Sequence, residues 1–252
     1  MKRETSGVKR QTSGVKRQMP GVRKMKAWET IVIGQGQDVG YPGWIQALRF
    51  AFWVLYNPLA WTYDWVSRIV SLGKWHDWQR TALPELRGER ILDLAFGTGN
   101  TLLDLVAGAY HPIGLDLSPA MARIAKRKLK GAGLSAPLVR GRAQQLPFAD
   151  ASIDSVLCTF PAEFILAPGT LSEVARVLRP GGRLVVTAMC KLNGPDPWSR
   201  FLDWLYRITG QRLPLPDLDP LLSPLRFEYR TVWRAVGNTA VLLVIAETRG
   251  GN

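Results

Sequence analysis

From residue 90 onward the chain alternates short apolar runs with segments whose apolar residues recur every three or four positions. The runs predict strands at Ile91–Leu94, Pro112–Asp116, Pro137–Arg140, Ile153–Thr159 and Gly182–Met189. The periodic segments predict helices at Leu102–Ala107, Ser118–Lys130 and Gly169–Leu178. Such alternation specifies an α/β domain: a mostly parallel sheet with helices on both faces. The end of the chain breaks the pattern. Arg226–Ala235 and Thr239–Glu247 are two apolar-rich runs about Gly237-Asn238, a hairpin signal. Between the fifth strand and this hairpin, Trp198, Phe201, Trp204, Leu205 and Ile208 fall at near-helical spacing, as one face packed on the sheet would. The Pro-rich run 213–220 then reads as a loop that can help close a substrate pocket.

Ahead of the first strand the pattern is different. Residues 27–84 form an aromatic-rich segment, expected to be a helical cap, and Trp28 to Trp78 holds seven of the ten tryptophans. Its densest part, residues 50–61, is broken by Pro58 and too short to span a membrane, which takes ~20 apolar residues. Three roles stay open for it: an interfacial element, a cap over an apolar substrate, or part of the core.

Composition changes the picture at the N-terminus. Of the net charge of +13, residues 1–26 carry +8, from nine Lys/Arg and one Glu. This stretch repeats itself: Thr5-Ser6-Gly7-Val8-Lys9-Arg10-Gln11 returns as Thr12-Ser13-Gly14-Val15-Lys16-Arg17-Gln18, with a decayed copy at 20–24. One apolar residue per seven cannot bury enough surface to fold, so a disordered basic tail is expected. Its charge suits peripheral contact with an anionic membrane or, at low salt, with nucleic acid. The two cysteines, Cys158 and Cys190, lie in predicted strands and suggest no disulfide framework, which points to the cytoplasm. No metal-ligand spacing is evident.

The chemistry concentrates at Ile91-Leu92-Asp93-Leu94-Ala95-Phe96-Gly97-Thr98-Gly99-Asn100-Thr101, a strand that runs through a glycine turn into a helix. Gly97 and Gly99 let the backbone turn and approach a ligand, and Asn100 or Thr101 is placed to cap the helix. Leu102 stands where a dinucleotide fingerprint needs its third glycine, and no lysine follows Gly99 as in a P-loop. Asp93 inside the strand would need a partner if buried, and a cationic or amine-bearing ligand would supply one. Asp116, 23 residues later at the end of the next strand, suits the hydroxyls of a ribose.

These residues resemble motif I and the acidic loop of the class I S-adenosylmethionine-dependent methyltransferases, of the type 11 domain. Residues 141–154 resemble the family's adenine-binding segment, and residues 171–184 its following helix, turn and strand. The resemblance covers roughly residues 85–190, within an expected catalytic domain of residues 85–252. It implies a Rossmann-like seven-stranded sheet with an antiparallel C-terminal hairpin, and S-adenosyl-L-methionine as cofactor. Carried onto this chain, it places the cofactor's methionine end at Asp93, Ala95, Gly97 and Gly99, and its ribose at Asp116. Leu117 and Met121 then flank the adenine, and Ala143 and Gln144 meet its edge. Two positions depart from the family: Ala95 replaces a usual glycine, and Arg142 a usual aspartate.

A shorter resemblance covers residues 63–80. Tyr63-Asp64, Ser71-Leu72-Gly73 and Trp78-Gln79-Arg80 are similar to the segment before motif I in menaquinone and ubiquinone C-methyltransferases. The expected function is methyl transfer to a small apolar or lipid-like acceptor, quinone-like or phenolic, with Tyr63 and Trp198 as substrate contacts. Glu163, just past the fourth strand, and His76 are the candidates for a catalytic base, while His111 reads as a surface residue at a strand end. The alternatives are a phospholipid headgroup N-methyltransferase and a non-catalytic cofactor-binding scaffold. The Asn/Asp-Pro-Pro-aromatic signature of nucleic-acid base methyltransferases is missing after the fourth strand, which disfavours nucleic acid as a partner.

Overall fold

The computed structural model describes residues 58–192 and 215–249, with Phe50, Ala51, Val54 and Arg200 besides; the basic tail and the Trp198–Ile208 stripe lie outside these residues. Seven strands form one sheet: β1 (Arg90–Leu94), β2 (His111–Asp116), β3 (Leu138–Arg140), β4 (Ile153–Thr159), β5 (Leu178–Leu192), β6 (Phe227–Val236) and β7 (Thr239–Thr248). Their order is β3-β2-β1-β4-β5-β7-β6. The first five are parallel, and β7 runs antiparallel between β5 and β6. Strand order reverses between β1 and β4, where open α/β sheets bind their ligands.

Alternation along each strand sorts the core onto two faces. On one, Leu92, Leu94, Val156, Leu184 and Val186 pack against Leu171, Val174 and Val177 of α5 (Pro168–Val177). On the other, Ile91, Leu157, Val185 and Leu243 pack against Trp78 of α2 (Trp75–Arg80) and Leu105 of α3 (Asn100–Ala107). α1 (Tyr63–Val70) precedes α2, α4 (Pro119–Gly131) links β2 to β3, and α6 (Asp219–Leu222) is one short turn before β6. α4 begins where Pro119 follows Ser118, whose hydroxyl caps the Met121 amide at 3.3 Å.

The largest differences from the sequence reading are at the two ends of β5. β5 starts at Leu178 rather than Gly182, because Arg179-Pro180-Gly181-Gly182 bulges out between the pairs Ile153–Leu178 and Ser155–Arg183, with Gly181 at φ +75°. At its other end β7 extends it to Leu192, paired with Thr239. The aromatic segment also divides. Trp78 is fully buried and its indole donates to Thr239 Oγ1 at 2.8 Å, so α2 belongs to the core, whereas α1 leaves large apolar side chains at the surface.

Candidate cofactor and acceptor site

After Leu94 the chain turns through three left-handed residues, Ala95 (φ +59°), Gly97 (φ +57°) and Gly99 (φ +81°). Gly99 is required twice over: a Cβ there would lie 2.7 Å from Ala125 Cβ of α4. Gly97 has nothing within 4 Å of that position, so its open side is free for a ligand's close approach. Ala95 is held in its strained conformation by its amide, which donates to Leu115 O at 2.7 Å. An L-residue pays roughly 1 kcal/mol there. Ala95→Gly should therefore stabilise the protein only slightly in urea unfolding, by up to about 0.5 kcal/mol, once the added freedom of the unfolded chain is subtracted. A lower unfolding midpoint would contradict this.

The helix that follows is capped differently from the sequence expectation. Neither Asn100 nor Thr101 caps it; Gly99 takes the cap position in the left-handed region with no side-chain bond. Thr101 instead donates to Asp93 Oδ2 at 2.5 Å, and Asn100 Oδ1 accepts from Lys128 Nζ at 2.7 Å.

Asp93 is 1% exposed, and its Oδ1 has no hydrogen-bond partner among the described residues. Burial pushes its pKa up to about 7 against the opposing Thr101 hydrogen bond, and the nearby Asp116 charge adds to the rise. An orphaned carboxylate oxygen beside an open glycine turn suits a ligand with a positively charged amine. Asp116 is half-buried and already organised. Its Oδ2 accepts from the Gly97 amide at 2.9 Å and its Oδ1 from the Ser118 amide at 2.8 Å. Burial raises its pKa despite those amides and that of Leu117, and three amides on four lone-pair sites leave room for a ribose hydroxyl.

Of the residues expected around adenine, Leu117 is 58% exposed at the mouth while Met121 is packed inside. Ala143 is buried and Gln144 half-buried on the turn after β3, where the Gln145 amide closes onto Arg142 O and the Arg142 side chain is exposed. This turn is fixed from α5. Glu173 accepts from the Leu146 amide at 2.7 Å, and Arg176 donates to Leu146 O and Phe148 O at 2.9 and 2.8 Å.

At the carboxyl end of β4 lies a second group of residues, most of which the sequence did not single out. Phe160 adopts φ +48° and stacks on Trp75 with ring centroids 4.5 Å apart; Tyr63 meets Trp75 edge-on at 6.4 Å. Beneath them Gln79 donates to Thr159 Oγ1 at 3.0 Å, while Gln79 Oε1 and the Thr187 hydroxyl are buried without partners among the described residues. Glu163 opens the 3-10 turn Glu163–Leu166 that follows; its side chain, like Trp198, lies outside the described residues. His76 is on α2 with Nε2 2.7 Å from Asp104 Oδ2 of α3, and His111 is an exposed residue 3.5 Å from Glu89.

One further contact joins the N-terminal segment to the glycine turn. Asp64 of α1 accepts from Thr98 Oγ1 at 2.7 Å and pairs with Lys128 of α4 at 2.6 Å. Lys128 also donates to Thr98 Oγ1 at 3.1 Å. Asp64 stands next to Tyr63 in the sequence pattern, but nothing in that pattern announces partners 34 and 64 residues away.

The comparisons bear on this arrangement. Residues 92–186 match the family described as Methyltransferase domain. The demethylmenaquinone methyltransferase of Thermus thermophilus is 37% identical over 175 residues, 67% of this chain and 77% of that protein. That of Deinococcus radiodurans is 35% identical over 197 residues, 76% of each. Among solved structures, the cyclase SpnF superposes with a TM-score of 0.54 at 19% identity, covering 70% of this chain and 81% of its own; at that identity it shares the fold. An orphaned acid in β1, an open glycine turn and an acid ending β2 are the fittings a sulfonium nucleoside requires, and the chain belongs to the class I S-adenosylmethionine-dependent methyltransferases.

Proposed function

We propose that the enzyme methylates a lipid-like quinone in its reduced, hydroxyl-bearing form. The observation that carries the reading is the reach of the similarity. The aligned 175 and 197 residues exceed the matched methyltransferase domain, residues 92–186, so the likeness to demethylmenaquinone methyltransferases extends beyond that domain into its flanks. Those flanks include Tyr63 and Trp75, which with Phe160 form an aromatic wall suited to a flat, apolar ring.

Bound S-adenosylmethionine supplies an electrophilic methyl group. The chain's residues align and shield. Asp93 and the turn at Ala95, Gly97 and Gly99 hold the methionine end, Asp116 the ribose, and Leu117, Ala143 and Gln144 the adenine. Tyr63 and Trp198 contact the acceptor. Holding donor and acceptor in line is the main contribution, because the reaction needs little other protein chemistry. Methylation at a ring carbon is helped by removing the acceptor's hydroxyl proton. Glu163, at the carboxyl end of β4, is our candidate for that base, with His76, oriented by Asp104, the second.

Transfer of a labelled methyl group to a naphthoquinol, to phosphatidylethanolamine and to RNA tests the acceptor. Label in the quinol is expected; label in the headgroup amine or in RNA with none in the quinol overturns the reading.

Cofactor binding should depend on pH. With its pKa near 7, Asp93 is mostly protonated at pH 6, yet only its ionised form attracts a cationic amine. Affinity should therefore rise as pH increases through 7, being about tenfold weaker at pH 6 than at the plateau. The free protein runs the opposite way. Its folded-state Asp93 binds a proton that the unfolded chain has released above its ordinary value of 3.8, so its contribution to stability declines from about pH 4 to 7. Calorimetric titrations at pH 6 and 7.5 that agree within a factor of two would remove Asp93 from the amine site.

A further inference from the structure

We propose that α1 and α4 together form the surface by which the enzyme seats itself on an anionic lipid bilayer. The inference deepens the lipid-like acceptor reading and takes its purpose from it.

Exposed apolar surface is concentrated in one place. Seven of the nine exposed large hydrophobic side chains among the described residues fall between 50 and 72. Trp61, Trp65 and Ile69 are 71%, 68% and 57% exposed. They recur every four residues, so they make one stripe along α1 and the turn before it. A soluble protein rarely leaves a contiguous apolar patch without a use, and tryptophan suits the boundary between water and lipid.

The neighbouring helix supplies the charge. Arg123, Lys126, Arg127 and Lys130 are exposed on α4 at i, i+3, i+4 and i+7, and residues 119–131 contain no acid. The two helices are joined by the Asp64–Lys128 ion pair. Arg68 adds an exposed cation to α1 itself. Aromatic insertion beside a row of cations is the pattern that binds anionic membrane surfaces. No described helix is long and apolar enough to cross the membrane.

Other occupants fit less well. Nucleic acid would satisfy the cations but leave Ile69 and its neighbours Val66 and Leu72 uncovered. A second copy packed on this surface about a two-fold axis would enclose the cations of both α4 helices in one contact, with no acid on α4 to pair them. Residues 1–26, at net +8, would be repelled by α4 in the same way.

The test is co-sedimentation of the full chain with phosphatidylcholine vesicles, with and without about one lipid in three as phosphatidylglycerol. Binding to the anionic vesicles is expected. Trp61→Ser with Trp65→Ser should weaken it about tenfold or more. Arg123→Glu with Arg127→Glu should remove the preference for phosphatidylglycerol. Wild-type binding by both variants would overturn the proposal and leave the tail as the lipid contact. So would a fall of the tryptophan variant from dimer to monomer in analytical centrifugation, which would mark the stripe as a contact between copies. A short-chain, water-soluble quinol assayed without vesicles separates the two readings. If it accepts no methyl group while vesicle binding behaves as expected, the acceptor is wrong and the surface stands. If it is methylated normally but the vesicle results fail, only the surface falls.

Discussion

Asp93→Asn should weaken S-adenosylmethionine binding by about 100-fold, on the order of 3 kcal/mol, the cost of removing one partner from a buried charge pair. The substitution is nearly isosteric. Asparagine keeps an oxygen to accept from Thr101, so the turn should keep its shape while losing the charge that we propose meets the cofactor's amine. The same change should leave the free protein at least as stable as wild type above pH 7, where the aspartate is a buried, uncompensated anion. Calorimetry and urea unfolding on one preparation test both halves. An asparagine variant that binds within threefold of wild type would show that the amine is held elsewhere; one that is sharply destabilised would show that Asp93 serves the fold.

The largest effect on stability is expected at Trp78. It is fully buried between α2 and the sheet, and its indole nitrogen is satisfied by Thr239 at the start of β7. Trp78→Ala leaves a cavity and strands the Thr239 hydroxyl's acceptor role, costing about 3–5 kcal/mol, a large fraction of a typical domain's stability. Trp78→Phe should recover most of the packing and lose mainly the hydrogen bond, about 1 kcal/mol. Denaturant midpoints that rank wild type, Phe and Ala in that order support the assignment. An alanine variant within 1 kcal/mol of wild type would mean that this face of the sheet repacks.

The parts of the molecule legible in the sequence are those set by local pattern. The Ile91–Leu94 strand, the Gly97 and Gly99 turn and the Asp93 and Asp116 pair depend on neighbours a few residues away and on the period of the strands, and the sheet forms from them as expected. Long-range partners were not legible. Thr101 reads as a cap until Asp93 is seen below it, and Lys128 reads as one more cation of α4 until Asp64 and Asn100 are seen beside it. Thr187 belongs to no motif, and Gln79 is only the variable position of Trp78-Gln79-Arg80; the pairing of β4 with β5 and the docking of α2 place them near Phe160. The backbone at Phe160 and Ala95 was hidden for a different reason, since neither residue type advertises a left-handed conformation.

The fastening of the N-terminal segment also limits how these enzymes can be recombined. Asp64 closes on Thr98, Trp78 on Thr239, and Glu85 on Arg230 and Arg234 of β6, whose hydrogen bonds outweigh the effect of burial and hold its carboxyl below the usual range. The segment before β1 is thus stitched to the cofactor turn and to the last two strands, more than 140 residues downstream. A chimaera that imports a relative's N-terminal segment to change the acceptor would carry one half of each stitch. It has to import the matching positions 98, 230, 234 and 239 as well, so that the segment before β1 can be exchanged only together with a set of distant residues.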